Sequence, residues 1–232
     1  MAHASRNADD VKTFLKSWEK YDSQQTIDFY DRWAQTYEQD SEIIKYRCPN
    51  MVVDFLHANY PGGRGDAQVL DVACGSGLVA RLMSEVGFRN FVGVDGSKGM
   101  LALAEKTGLY QDLRLALLGT EPLPADTGMF DVVVIAGALR HEHAPVSIIR
   151  ELCHAATPGG YVCMSRVDLS SEVGRTYRQR MEQELQQMED QGLWRHVASA
   201  EMKDYMMDIS ELDSDQYLTG TMHLYQKAAR LH

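Results

Sequence analysis

Apolar residues recur at helical spacing through the first sixty positions, then give way to short apolar runs separated by helix-length stretches. Val11, Phe14, Leu15 and Trp18 stand at i, i+3, i+4 and i+7, one stripe of an amphipathic helix. Ile27, Tyr30, Ala34 and Tyr37 continue as a second stripe, with Trp33 just off it and open to a place in a substrate cleft. Met51, Val52, Phe55 and Leu56 mark a third helical segment, and the turn-rich YPGGRGD at 60–66 closes the region. The pattern predicts a helical cap over 1–60 and a core over 61–232, both within one domain.

Beyond residue 66 strands and helices alternate. Val69 to Ala73 reads as a strand ended by Cys74-Gly75-Ser76-Gly77, with a helix behind it that stops at Gly87. Phe91 to Val94 is a second strand, and Ser97 caps a helix that runs through Lys106. Leu113 to Leu118 predicts a third strand, and FDVVVIA at 130–136 has the continuous apolar character of a buried parallel strand. Pro145 suits the first turn of a helix through Leu152, and Thr157-Pro158-Gly159-Gly160 predicts a turn into a fifth strand at Tyr161 to Val167. The polar stretch 175–188 reads as a solvent-facing helix. Trp194 to Ala200 and Tyr217 to Tyr225 read as an antiparallel pair, with a loop or short helix over Met202 to Asp215. Strands separated by helices require an α/β three-layer sandwich with a mostly parallel sheet.

Composition narrows the chemistry. Lys and Arg total 23 against 33 for Asp and Glu, a net charge of −10, which disfavours nucleic-acid partners. The longest apolar stretch, Val132 to Leu139, is far short of a membrane span, and no secretory pattern opens the chain. Cysteines at 48, 74, 153 and 163 lack metal spacing and suit a reducing, cytoplasmic setting, with the nucleus also open.

The sharpest signal is VLDVACGSG at 69–77 followed by FVGVDGS at 91–97. Small residues after a first strand let the backbone turn tightly against a ligand, and an acid ending the second strand can accept a ribose diol. Asp95 stands there, 24 residues after Asp71. The dinucleotide fingerprint fails, because Ala73 and Leu78 occupy two of its three glycine positions, and no Gly-Lys-Ser/Thr ends the turn. Asp71 adds negative charge where cofactor phosphates want none, so a cofactor with a cationic amino-acid portion matches better.

DVACGSG with VDGS, TEPLP at 120–124, MFDVVVIAGAL at 129–139 and TPGG at 157–160 together resemble the class I S-adenosylmethionine-dependent methyltransferases. FYDRWAQTYEQD, KYR and the closing HLYQKA are similar to a narrower group, the methyltransferase-like proteins of the Williams–Beuren syndrome region. The resemblance spans about residues 27–227. It implies a Rossmann-like fold with a seven-stranded sheet of order 3-2-1-4-5-7-6, its last strand antiparallel, and S-adenosyl-L-methionine as cofactor, giving S-adenosyl-L-homocysteine. It also implies that Asp71 approaches the methionyl amine while Ala73 and Gly75 present backbone atoms to the amino-acid portion. Asp95 would bind the ribose hydroxyls; Gly96 and Met100 would line the adenine, with Leu118, Gly119 and Thr120 opposite. Ala136 and the residues after it would lie at the methyl end, Tyr37 and Tyr46 would form a lid, and Arg47 would reach the carboxylate. Two positions depart from the pattern: Ala73, where glycine is commoner, and Gly119, where many relatives carry an acid near the adenine amino group.

Other features fit bland roles. His141-Glu142-His143 lacks metal spacing and reads as exposed loop polarity, with general-base work as the alternative. Cys74 reads as a small packed side chain, and the acids between Asp204 and Asp215 lack the glycine and spacing of a calcium loop. No Asn/Asp-Pro-Pro-aromatic motif follows the fourth strand, where Ala136-Gly137-Ala138-Leu139 stands, which argues against N6-adenine and glutamine acceptors. The expected protein is a monomeric methyltransferase acting on a small-molecule acceptor, with a protein or RNA acceptor, or a catalytically silent cofactor-binding regulator, as alternatives. No catalytic base, metal or membrane contact is assigned.

Overall fold

Val132, Val133, Val134 and Ile135 are fully buried, which only a strand covered on both faces permits. The computed structural model describes residues 6–17, 23–141, 143–210 and 216–229. Four helices come first: α1 (Ala8–Lys16), α2 (Ser23–Trp33), α3 (Tyr37–Ile43) and α4 (Cys48–Asn59). There follow β1 (Gln68–Val72), α5 (Leu78–Glu85), β2 (Asn90–Asp95), α6 (Lys98–Lys106), β3 (Tyr110–Leu115) and β4 (Phe130–Ile135). The chain continues through α7 (Ile148–Ala155), β5 (Ala156–Val167), α8 (Glu172–Asp190), β6 (Trp194–Met207) and β7 (Tyr217–Lys227).

The seven strands form one sheet of order β3-β2-β1-β4-β5-β7-β6. β1 pairs in parallel with β2 and β4, and β4 with β5. β7 runs antiparallel to both β5 and β6. Order reverses between β1 and β4, and in such sheets ligands bind beyond the carboxyl ends of the strands at that point. Alternation along the strands supplies two cores. Val69, Val132, Val134 and Cys163 pack with Val52 and Leu56 of α4 and Met83 of α5. Leu70, Val72, Val133 and Ile135 pack with Leu152 of α7 and Met181 and Leu185 of α8. The segment 1–60 therefore divides by packing: α4 is a layer of the sandwich, whereas Val11 and Leu15 of α1, Phe29 and Trp33 of α2, and Ile44 form a core of their own.

Asp40 pins that smaller core. Its carboxylate is fully buried, and Oδ2 accepts from Arg6 Nη1 (2.6 Å), Trp33 Nε1 (2.8 Å) and Thr36 Oγ1 (2.8 Å). Breaking a buried ion pair by removing one partner typically costs about 3–5 kcal/mol. Trp33 is thereby committed to the helical core. The predicted stripe from Ile27 to Tyr37 is also broken. α2 ends at Trp33, Thr36 N–H donates back to the Trp33 carbonyl (2.9 Å), and Tyr37 begins α3. Trp18 lies outside the described residues.

Five further expectations are corrected. β3 runs three residues earlier than predicted, because Tyr110 packs its ring on Phe91 while Leu117 and Thr120 form a turn beyond the strand. Pro145 and Val146 accept i→i+3 bonds from Ile148 and Ile149, so α7 starts only after that tight turn. The TPGG turn is absorbed into β5, with Gly159 at φ +81° and a register shift opposite Phe130/Val132. α8 is not merely solvent-facing: Tyr177, Met181, Leu185 and Met188 form a buried stripe. β6 runs on to Met207 through the expected loop, its pairing slipping between Met202 and Met206, where Asp204 has φ +55°. Residues 211–215 lie outside the described residues. No described helix is long and apolar enough to cross a membrane.

Candidate functional site

After β1 the chain reverses through left-handed backbone, with φ +54° at Ala73, +55° at Gly75 and +90° at Gly77. Glycine adopts this region freely, whereas Ala73 carries strain of about 1 kcal/mol or more. Cys74 N–H donates to the Val94 carbonyl (3.0 Å) and Gly75 N–H to Asp95 Oδ2 (2.8 Å). Asp95 Oδ1 accepts from Ser97 N–H (2.8 Å), so one carboxylate ties the turns after β1 and β2 together. Ser97 Oγ then caps α6 at Met100 N–H (3.1 Å). Asp31 of α2 reaches the same helix start, accepting from Ser97 Oγ (2.5 Å) and Gly99 N–H (2.8 Å). These bonds hold the helical cap over the turn.

Between cap and turn lies a chamber of about 100 Å³. Tyr37, Tyr46, Ala73, Gly75, Asp95, Gly96, Met100, Leu118 and Ala136, all predicted from the sequence, stand around it. Four predicted residues do not. Asp71 is buried, with Oδ2 accepting from the Tyr110 hydroxyl (2.7 Å). Arg47 points outward, 3.7 Å from Asp204 and with its guanidinium over the Tyr217 ring. Gly119, at φ +83°, lies against Pro145, and Thr120 Oγ1 donates to the Leu117 carbonyl (3.0 Å). The chamber adds Thr26, Ile27, Tyr30, Leu117 and His143, which the sequence reading left out of the site, together with Gly137 and Ala138, which it took in only as the residues after Ala136. Tyr30 and Ile27 already stood in the second helical stripe; nothing local marked Thr26.

His143 departs most from expectation. It lies in the chamber wall instead of an exposed loop, with Nε2 2.9 Å from the Tyr30 hydroxyl and Nδ1 accepting from Arg140 Nε–H (3.1 Å). Glu142 lies outside the described residues. Tyr46 packs on Tyr205, and its hydroxyl sits so close to Gly137 that any Cβ there would lie 2.0 Å from it. Gly137 N–H donates to Ser165 Oγ (3.0 Å), which also contacts Cys48 Sγ (3.3 Å).

Burial dominates the charge states. It pushes the Tyr30 phenol up to about 12, opposed by Arg140 and reinforced by Asp95. Burial also raises Tyr37 and Tyr46 far above the ordinary phenol range. His143 is held well below the usual imidazole range, first by burial and then by the Arg140 charge. Burial raises the Asp95 carboxyl against the backbone N–H donors of Ser97, Gly75 and Gly96. Asp71 is pushed up to about 7 by burial and secondarily by Asp95, against the Tyr110 hydrogen bond. The wall thus holds neutral phenols and a neutral imidazole around one carboxylate.

The chain matches the model of a methyltransferase domain over residues 70–164. It is 46% identical over 173 residues to human methyltransferase-like protein 27, covering 75% of this chain and 69% of that one. The chain belongs to the class I S-adenosylmethionine-dependent methyltransferases. Demethylmenaquinone methyltransferase of Bacillus licheniformis is 30% identical over 140 residues, 57% of this chain and 58% of that one. Among solved structures, the [4+2]-cyclase SpnF superposes with a TM-score of 0.64 at 15% identity, over 90% of this chain and 98% of that chain. A cyclase on the same frame shows that fold alone does not name a reaction.

For this methyltransferase the donor set of the chamber fits S-adenosylmethionine. Asp95 offers carboxylate lone pairs, and the turn offers close-approaching backbone. Thr26 supplies a third sign: its Oγ1 is buried in the chamber wall with no hydrogen-bond partner, a state that costs about 1–3 kcal/mol unless a ligand relieves it. Pockets for ligands of this size run to roughly 300–1,000 Å³.

Proposed function

We propose that this methyltransferase acts on a small-molecule acceptor held in the chamber under α2 and α3. The enclosure of that chamber by the cap carries the reading, because a macromolecular acceptor needs an open face beside the methyl group. In this reading Asp95 accepts the ribose hydroxyls on lone pairs that Gly75 and Ser97 leave free. Gly96, Met100 and Leu118 form the adenine slot, with Gly119 and Thr120 at its outer end. Ala73 and Gly75 meet the amino-acid portion, and Asp71 supports the turn from beneath and biases it toward the ammonium. Ala136 stands at the methyl end, Tyr37 and Tyr46 cover the methionine portion, and Arg47 swings from Asp204 to the carboxylate. The bound cofactor supplies an activated methyl group; the chain's own part is to align the acceptor and exclude water.

The segments FYDRWAQTYEQD and HLYQKA support the narrower kinship with the methyltransferase-like proteins of the Williams–Beuren syndrome region. The reading extends to a monomer, to a cytoplasmic setting, supported by four buried free thiols, and to no nucleic-acid partner, supported by the net charge of −10. Titration calorimetry tests the cofactor assignment: S-adenosylmethionine and S-adenosylhomocysteine should bind at least tenfold more tightly than NAD, about 1.4 kcal/mol. A screen of small-molecule acceptors against labelled methyl donor tests the rest. Transfer to protein or RNA but to no small molecule would overturn it.

A further inference from the structure

The wall of the chamber contains one imidazole, and its two nitrogens are both engaged. Arginine donates and never accepts. Arg140 Nε–H lies 3.1 Å from His143 Nδ1, so Nδ1 carries the lone pair and the ring proton sits on Nε2. Nε2–H, 2.9 Å from Tyr30 Oη, then donates to the phenol oxygen. Among the described residues the Tyr30 hydroxyl has no second partner, so its own proton is left for a group inside the chamber that Tyr30 lines. Direction passes from a loop arginine through an imidazole to a phenol on α2.

This arrangement removes the histidine from proton abstraction. The lone pair that a general base needs is covered by a guanidinium, and the other nitrogen already bears its proton. Among the described residues Arg140 on the same loop and Tyr30 from α2 contact the ring, and Tyr37 from α3 and Asp95 at the end of β2 line the same chamber. Burial and the Arg140 charge keep the imidazole neutral, and the phenols keep their protons. Asp95 belongs to the ribose in the reading above. An alcohol or phenol acceptor, which must lose a proton to attack, finds no group to take it among the described residues of the wall. Among the described residues, an anionic acceptor would enter a wall whose one charged member is a carboxylate.

We propose that Arg140 and His143 are positioning residues that aim the Tyr30 hydroxyl proton at the acceptor, and that the acceptor is an uncharged, planar nitrogen heterocycle. The ring nitrogen uses its own lone pair to form the bond to the methyl carbon. The carbon–sulfur bond breaks, its electron pair stays on sulfur, and the sulfonium becomes a neutral thioether. The positive charge passes to the heterocycle, and a ring bearing N–H releases that proton to water after it leaves. Tyr30 holds a second lone pair on the acceptor and so sets which nitrogen faces the methyl group. The aromatic rings of Tyr37 and Tyr46 in the same wall favour the cation that forms.

This inference rests on the cofactor reading, so the test separates the two. Protein with 15N-labelled histidine, in which His143 is assigned by its absence in H143Q, should show the neutral Nε2–H tautomer from about pH 8 down to about pH 5, below the usual imidazole midpoint. An Nδ1–H tautomer, or an imidazolium near pH 7, overturns the proposal. Transfer of labelled methyl is then measured to purine, which has more than one ring-nitrogen lone pair, and to 2-naphthol and thiophenol as probes. Purine should be methylated at a rate flat across neutral pH, with the hydroxyl and thiol probes at background. Y30F and H143Q should each lower the purine rate about tenfold, and the double variant no further, while S-adenosylhomocysteine affinity stays within about twofold. Methylation of 2-naphthol with a pH limb that H143Q abolishes would make His143 a base and sink the proposal. Turnover of no probe by protein that binds S-adenosylhomocysteine also overturns it. Failure to bind S-adenosylhomocysteine at all overturns the cofactor reading instead, and the proposal falls with it.

Discussion

The buried carboxyl of Asp71 offers a direct measurement of what the site costs the fold. Its ordinary value of 3.8 is raised to about 7, first by burial, with Asp95 adding and the Tyr110 hydroxyl opposing. For an acid raised in the folded state, the native protein binds more protons than the unfolded chain between those two values. Stability is therefore full below about pH 4, falls as pH rises to about 7, and stays level above. The whole interval is worth about 4 kcal/mol at about 1.4 kcal/mol per pH unit, an upper bound that water penetration reduces to about 2–4 kcal/mol. Asp71→Asn keeps the shape and lets the amide oxygen accept from Tyr110, but removes the charge. Chemical denaturation of ligand-free protein at about pH 5 and about pH 8 should show D71N gaining on wild type by about 2–3 kcal/mol between the two conditions. Adding S-adenosylhomocysteine should reverse the preference, because an ammonium near the carboxylate favours its charged form. A wild-type minus D71N difference that does not change with pH would refute the reasoning, since it would mean that Asp71 titrates at its ordinary value.

Three further outcomes follow from the same geometry. Asp95→Ala removes the bonds to Gly75 and Ser97 as well as the ribose acceptor, so calorimetry should show S-adenosylhomocysteine affinity falling by about 1.5–3 kcal/mol, and denaturation a stability loss of about 1–3 kcal/mol. Gly137→Ala puts a Cβ 2.0 Å from the Tyr46 hydroxyl at φ +74°, and should cost at least about 2 kcal/mol by thermal unfolding; a neutral effect would mean that the turn after β4 yields freely. Asp31→Ala cuts α2 from the start of α6, and hydrogen exchange should quicken across 25–33, whereas S-adenosylhomocysteine should add protection from 25 to 47 and at 71–77; protection at 71–77 alone would make the cap a static element.

Much of the sheet was legible because its central strands carry strong local signals. FDVVVI needs cover on both faces, and VLDVACGSG ends in residues that tolerate left-handed backbone. What escaped depends on partners remote in sequence. α8 reads as polar because its buried residues sit three or four positions apart among Arg, Gln and Glu, and only the facing sheet reveals them. β6 crosses a stretch rich in acids because β7 supplies its ladder from Tyr217 onward, a pairing no local propensity announces. The site divides in the same way. Asp95 was singled out by its place at the end of strand 2, Gly96 and Met100 by the family resemblance, and all three stand around the chamber because they follow one another through the turn and into α6. Arg47 faced the other way because a carboxylate on β6, Asp204, draws it outward, and the register that puts Asp204 there depends on a slip in β6.

His143 is the sharpest case. In sequence it is one of two histidines in a charged loop, indistinguishable from surface polarity. Its meaning comes from Tyr30, 113 residues earlier, and from Arg140, one turn before it. Each contact alone would leave its role open: a histidine beside a phenol could be donor or acceptor, and a histidine beside an arginine could be merely repelled. Together they fix which nitrogen bears the proton, because the arginine can only donate. The helical cap is therefore more than a cover. α2 contributes the phenol, the loop after β4 contributes the ring that orients it, and the chamber between them acquires a directed hydrogen-bond donor that neither segment encodes by itself.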